Sequence, residues 1–586
     1  MIKLLKELTV KEWILFALGV GIIALQVWAE LELIEKMQDV TLLVTSGSGT
    51  VSSILKAGGK MLLLAGGSVV CAFVVGYAAS VIGANLSYGL RDKLFNKVQS
   101  FSMEEINRFS TASLITRSTN DVSQIQMLIS MGMLVALRAP IMAIWAISKI
   151  AGKSPQWSIA TGVSILCLCL LLSAVFLIAV PRFKKIQALT DAVNDRMREN
   201  LTGLRVVRAY NAEKFQEAKF ETANKALASN NLVAHRVMAA MSPVMSAIMA
   251  GLSLAIYWIG IYVINKAGQM QKIELFSEMV VFSSYAIQIV MSFMMMSFVF
   301  IMFPRAMVAA RRVTEVISTD PKIKSGERAE GLPGITGEVV FEDVSFRYPD
   351  AENPVIEHIS FRAEKGETVA FIGSTGSGKS TVVNLIPRFY DVTEGGVFVD
   401  GVNVKEYSSS ALVSKIGYVS QKAVLFSGDV QSNVTYGSEG RLNEKEEIFK
   451  ALSISSAESF VSDKDGQEKA FVARGGANFS GGQKQRLSIA RAVYKKPEIL
   501  IFDDSFSALD YKTDKELRAA LKKEMRGVTV LIVAQRIGTI MDADRIVVLD
   551  EGKISAIGTH KELLRTSEVY REIATSQLSE EELKNA

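Results

Sequence analysis

The chain has 586 residues, 49% apolar and 21% charged, with 65 Lys and Arg against 60 Asp and Glu. That length exceeds one ordinary domain. The net charge of +5 needs no nucleic-acid partner to explain it, because the basic residues cluster beside apolar runs of membrane-spanning length. The cysteines, Cys71, Cys167 and Cys169, all sit inside those runs, which excludes a disulfide framework and gives no metal-ligand spacing.

The opening MIKLLKELTVKEW is too polar for a signal-peptide core and reads as an interfacial helix leading into the first span. Six runs follow, at 13–34, 61–84, 127–150, 158–180, 238–264 and 279–303. Each reaches the ~20 mainly apolar residues that cross a bilayer, and in lipid each must be helical to satisfy its own backbone. Lys and Arg crowd the second and fourth connections, whereas those near 45–59, 151–156 and 265–275 are short and hold few. The positive-inside rule therefore places both termini and the two long connections in the cytoplasm. The long connections, 85–126 and 181–237, lack terminating turn clusters and read as helices continuing past the membrane. Their tips are expected at 108–121 and 208–220, as contact surfaces for a cytoplasmic domain.

Within the spans, Arg138 stands mid-run with Pro140 after it. A central charge either pairs with an acid at a bundle contact or lines a cargo pathway, to which Gln288 of the sixth run is the other polar candidate. The run MSFMMMSFVFIMF (291–303) suits an adaptable binding surface or plain lipid contact.

Residues 314–336 form a linker rich in Gly, Pro and charge, separating the membrane domain (1–313) from a second domain (337–586). There the strand Thr368–Ile372 runs into GSTGSGKST, a complete phosphate loop: Gly373, Ser374, Thr375, Gly376, Ser377, Gly378, Lys379, Ser380 and Thr381. Its glycines let backbone N–H groups wrap phosphates, Lys379 reaches the β and γ phosphates of a nucleotide, and the Ser380 hydroxyl is a Mg²⁺ ligand. About a hundred residues later comes SGGQ (Ser480, Gly481, Gly482, Gln483), and then the apolar strand ILIF ending in Asp503 and Asp504.

Phosphate loop, SGGQ and acidic strand end together resemble the ATP-binding cassette family, and the resemblance covers the whole chain. Six spans followed by a cassette look like one half of an exporter of the multidrug and lipid-flippase type. The resemblance implies an α-helical membrane domain of six long helices and an α/β phosphate-loop domain. It assigns Tyr348 to stacking on adenine, Gln421 to Mg²⁺ and to the link with the membrane helices, and Asp503 with Ser380 to Mg²⁺. Asp510 would lie between two cassettes facing head to tail, each ATP held between one phosphate loop and the other chain's SGGQ. The tips at 108–121 and 208–220 match the family's coupling helices.

Three positions depart from the family pattern. Asp504 stands where a catalytic glutamate orients the attacking water, Gln535 replaces the histidine beyond the strand VTVLIVA, and ARGGANFSGGQ lacks the usual Glu-Arg-Gly run. A shortened base misplaces its water, and an amide carries no charge to the γ phosphate. The pattern resembles the degenerate-site half of bacterial heterodimeric multidrug exporters. It implies a partner half-transporter with intact Glu and His, a place in the bacterial plasma membrane, and amphipathic or drug-like cargo. A lipid or peptide exporter and a non-pumping, ATP-sensing membrane regulator are the alternatives.

Overall fold

The computed structural model describes residues 8–45, 49–438 and 445–578. The first seven residues of the expected interfacial helix lie outside the described residues. Two compact units emerge, Met1–Gln99 with Thr111–Thr319, and Ser100–Ser110 with Asp320–Ala586.

The first unit is helical. Its elements are α1 (Val10–Thr45) and α2 (Val51–Gln99), then, after the short α3 (Met103–Phe109) of the second unit, α4 (Thr111–Thr116), a π-helical turn (Arg117–Asp121), α5 (Val122–Val135), α6 (Arg138–Ile150), α7 (Pro155–Thr202), α8 (Leu204–Ala209), α9 (Glu213–Lys266) and α10 (Gln269–Ser318). Among the described residues, six helical stretches are long and apolar enough to cross a membrane, and each apolar run of the sequence falls on one of them. At 54 residues α9 extends about 80 Å, against ~30 Å of hydrocarbon. It and its neighbours do continue well past the apolar stretch.

The third span is broken between Val135 and Arg138. Pro140 has no N–H to give the Ala136 carbonyl one turn back, and its ring crowds that carbonyl. Small residues let helices approach closely. A Cβ on Gly83 would lie 2.1 Å from Ser130 Oγ, and one on Gly260 would lie 2.2 Å from Met279 Sδ. The core of this unit holds Ile23, Val27, Trp157, Phe282 and Tyr285, and the Tyr285 hydroxyl donates to the Leu31 carbonyl at 3.1 Å.

Arg138 pairs with Glu30 of the first span, its Nη2 lying 2.8 Å from both carboxylate oxygens. Ser68 Oγ and Gln26 Nε2 also donate to Glu30, each at 3.0 Å. Of the two uses open to Arg138, the structure shows the pairing with an acid.

Both tip helices begin before the stretches expected for them. α3 starts at Met103, where Ser102 and Glu105 form a reciprocal capping box, and it stops at Ser110 with φ 56°. Residues 111–121 already belong to the returning helix. α8 likewise begins at Leu204, just after Gly203, and ends before Asn211 at φ 50°. The S-x-x-E signal at 102–105 was the missed clue. α3 folds with the second unit, where Asn107 Nδ2 donates to Tyr390 at 3.1 Å and Glu105 accepts the Lys322 N–H at 3.2 Å.

In the second unit a four-stranded antiparallel sheet, ordered β2-β1-β4-β5, comprises β1 (Val339–Phe346), β2 (Ile356–Ala363), β4 (Glu394–Val399) and β5 (Val402–Asn403). A six-stranded sheet, ordered β12-β11-β3-β10-β9-β6, comprises β3 (Thr368–Gly373), β6 (Ile416–Val419), β9 (Ile499–Asp503), β10 (Thr529–Val533), β11 (Arg545–Asp550) and β12 (Lys553–Gly558). β7 (Gly428–Asp429) and β8 (Phe471–Val472) form a small ribbon. Strands covered on both faces read as continuous apolar runs rather than alternations, and all five residues of β9 are buried. β3, β10 and β9 are parallel neighbours, so their C-terminal ends open on one side, where an α/β sheet places its ligand.

Candidate nucleotide site

Three strand ends build the site. At the first, β3 passes through the loop 374–378 into α11 (Lys379–Leu385). The loop needs its glycines: Gly378 has φ +90°, and a Cβ there would lie 2.4 Å from Ile356 Cγ2. At Gly373 a Cβ would lie 2.0 Å from the Leu549 carbonyl oxygen. Lys379 folds back over this loop, donating to the carbonyls of Gly373 at 2.9 Å and Ser374 at 2.7 Å. Burial pushes its pKa down, opposed by the nearby Asp504 charge. Thr381 Oγ1 lies 3.2 Å from the Tyr348 hydroxyl, and the Tyr348 ring packs edge-on against Phe346 and Tyr390.

At the second strand end, Ser380 Oγ donates to Asp503 Oδ1 at 2.6 Å. The Tyr418 hydroxyl reaches Asp503 Oδ2 at 3.2 Å and Asn384 Oδ1 at 2.8 Å. Burial, foremost, and the charge of Asp503 raise the Tyr418 pKa, which keeps it a donor. Neither Tyr418 nor Asn384 was singled out from sequence. Tyr418 sits just ahead of Gln421, but only the β6–β9 pairing brings it to the acid.

The next residue, Asp504, has φ +47° and is 7% exposed. Its Oδ2 accepts from Gln421 Nε2 at 3.1 Å and, at the third strand end, from Gln535 Nε2 at 2.8 Å. Burial raises its pKa, as does the Asp503 charge, against the two amide hydrogen bonds and Lys379. Gln421 thus stands on Asp504 here, while Ser380 and Asp503 contact each other. Two of the three departures from the family pattern, Asp504 and Gln535, are hydrogen-bonded to one another.

SGGQ lies elsewhere. Ser480 caps α12 (Gly481–Tyr494) through a reciprocal box with Gln483, accepting the Gln483 N–H at 3.3 Å while Gln483 Oε1 accepts the Ser480 N–H at 3.0 Å. Around Gly481 a Cβ would meet nothing within 4 Å, and one on Gly482 would lie 3.3 Å from the Ala508 carbonyl oxygen and 3.8 Å from Leu509 Cδ2. Among the described residues, no hydrogen bond joins 480–483 to 373–381 of the same chain. Asp510 caps α13 (Tyr511–Glu524), and its bond from the Thr513 N–H lowers its pKa.

The comparisons agree with this layout. Residues 39–293 match the ABC transporter transmembrane region and residues 356–507 match the ABC transporter family. The chain is 40% identical over 535 residues to an uncharacterized ABC transporter ATP-binding protein of Mycobacterium bovis, covering 90% of each chain. It is 32% identical over 524 residues to an ATP-dependent lipid A-core flippase of Syntrophus aciditrophicus, covering 88% of this chain and 84% of that one. The solved structure of a bacterial Atm1-family ABC exporter with ATP bound superposes with a TM-score of 0.79 at 22% identity, over 97% of this chain and 98% of that chain. On agreement that spans nearly its whole length, the chain belongs to the ABC transporters, as an ATP-driven exporter half-transporter with its membrane region and ATP-binding domain in one polypeptide.

Proposed function

We propose that this chain is the ATP-holding, weakly hydrolysing half of a heterodimeric exporter in a bacterial plasma membrane, with both termini cytoplasmic. The observation that carries the reading is the state of Asp504. The group in the water-orienting position is short, sits on a left-handed backbone, and has one oxygen engaged by both Gln421 and Gln535. A general base must stand within hydrogen-bond reach of its water, and this one is drawn toward two amides instead. The phosphate loop is complete beside it, and SGGQ stands capped and accessible. ATP is therefore held at this chain's own loop, and Ser480, Gly481 and Gly482 complete the hydrolytic site of a partner that carries Glu and His.

The oxygen pair Ser380 and Asp503, in hydrogen-bond contact at 2.6 Å, suits Mg²⁺, which takes one or two carboxylates together with substrate phosphates. Bound there, the ion would neutralise phosphate charge; Tyr418 orients the carboxylate that holds it. Gln421 gives its Nε2 to Asp504, so its Oε1 is the atom that would join them.

The cargo is an amphipathic molecule. A drug-like compound fits the heterodimer reading, and the lipid A-core flippase among the relatives favours a lipid. The test of the functional reading is steady-state ATPase of the purified chain in lipid. Alone it should turn over near background, and its partner should restore activity. Robust turnover by the chain alone would remove the case for a heterodimer.

A further inference from the structure

Gln535 does not hold its place unaided. It follows β10 on a connection to the short helix Ile537–Ile540, and a residue from the far end of the domain grips that connection. Gln577, the last residue of α14 (Glu568–Gln577), donates its Nε2 to the Gln535 carbonyl at 2.9 Å. Its Oε1 accepts the Ile537 N–H, also at 2.9 Å. One side-chain amide thus spans two backbone groups, as a neighbouring strand would. The helix that delivers it is itself fixed. Tyr570 and Ala574 are fully buried, and the Tyr570 hydroxyl lies 2.6 Å from His560 Nδ1. From the gripped backbone, the Gln535 side chain reaches Asp504.

We propose that Gln577 is a positioning residue for the nucleotide switch. It fixes the backbone from which Gln535 works, and through it the C-terminal helix sets how well the site tells ATP from ADP. The inference rests on the proposed function and on reading Gln535, which stands where the family's histidine would, as an amide donor to the γ phosphate. Two amide hydrogen bonds hold a short connection whose freedom would otherwise let Gln535 swing away. Losing them should weaken whatever Gln535 contributes, and nothing else at the loop: Lys379, Ser380 and Asp503 are positioned by other elements.

The experiment uses the full chain in lipid nanodiscs, with equilibrium binding of ATP and of ADP in the presence of Mg²⁺, and a melting temperature for each variant. Gln577→Ala should weaken ATP binding roughly fivefold, the equivalent of about one hydrogen bond, and leave ADP binding and the melting temperature unmoved. Gln535→Ala should do the same, and the double variant should bind ATP no worse than either single one. Gln577→Glu keeps the acceptor for Ile537 but turns a carboxylate oxygen toward the Gln535 carbonyl, so it should bind ATP no better than Gln577→Ala. Equal loss of ATP and ADP affinity with a lower melting temperature would make Gln577 a structural residue only and overturn the proposal. Additive losses in the double variant would overturn it as well. If Gln535→Ala lowers the ATP-to-ADP preference and Gln577→Ala does not, the positioning role alone fails. If Gln535→Ala leaves the preference unchanged, the γ-phosphate reading fails and the inference falls with it.

Discussion

At the scale of single residues, Asp504 keeps a carboxylate where little water reaches it, beside the like charge of Asp503. Its folded pKa is raised, so the ionised form is the disfavoured one, and at neutral pH that works against folding. Asp504→Asn removes the charge, still offers an oxygen to the Gln421 and Gln535 amides, and tolerates the left-handed φ of +47°. The variant should melt at a higher temperature than wild type at neutral pH, without nucleotide. The difference should shrink as the pH falls and vanish well below about 4, where the aspartate is protonated folded and unfolded alike. A variant that melts lower than wild type at neutral pH would show that the ionised carboxylate stabilises the site. Gly481 illustrates the opposite situation. With nothing within 4 Å of its Cβ position, a substitution there leaves the fold alone and acts only on what approaches from outside.

Between elements, the pair Arg138–Glu30 joins the first and third spans at the break before α6. Removing one member leaves the other charge without its counterion in an apolar bundle. Arg138→Leu or Glu30→Leu alone should therefore cost up to about 3 kcal/mol, and the double replacement less than either. Thermal stability in lipid, read as a double-mutant cycle, checks this; additive losses would mean that the ion pair contributes nothing as a pair. These elements also show what a sequence can and cannot disclose. The six spans were legible because hydropathy alone determines them, and β9 because burial on both faces leaves an unbroken apolar run. The acid that meets Arg138 was not, since periodicity along one helix does not tell which neighbour it faces. The first tip helix, α3, was displaced because a four-residue capping signal was outweighed by longer polar stretches. At the site, motif residues were legible one by one. Their convergence was not: Gln421, Asp504 and Gln535 meet only through the order β10-β9-β6, and Tyr418, Asn384 and Gln577 belong to no motif.

At the scale of the whole molecule, the proposed function gives one chain two unequal contributions to ATP chemistry. In it Lys379 would serve the loop where ATP is held, and Ser480 with Gly481 would serve the hydrolysing site of the partner. Lys379→Ala strips the ammonium from the Gly373 and Ser374 carbonyls and should weaken ATP binding at the poor site while leaving part of the pair's turnover. On the same proposal Gly481→Asp would set a carboxylate against the γ phosphate of the partner's site, adding repulsion where charge must be stabilised. The decisive measurement is steady-state ATPase of the reconstituted pair carrying Asp504→Ala or Gly481→Asp in this chain, with assembly checked for each. Turnover close to wild type with Asp504→Ala, and nearly none with Gly481→Asp, is the result that the division of labour predicts. If Asp504→Ala silences the pair as fully as Gly481→Asp does, this chain's own site performs the hydrolysis and the account is contradicted.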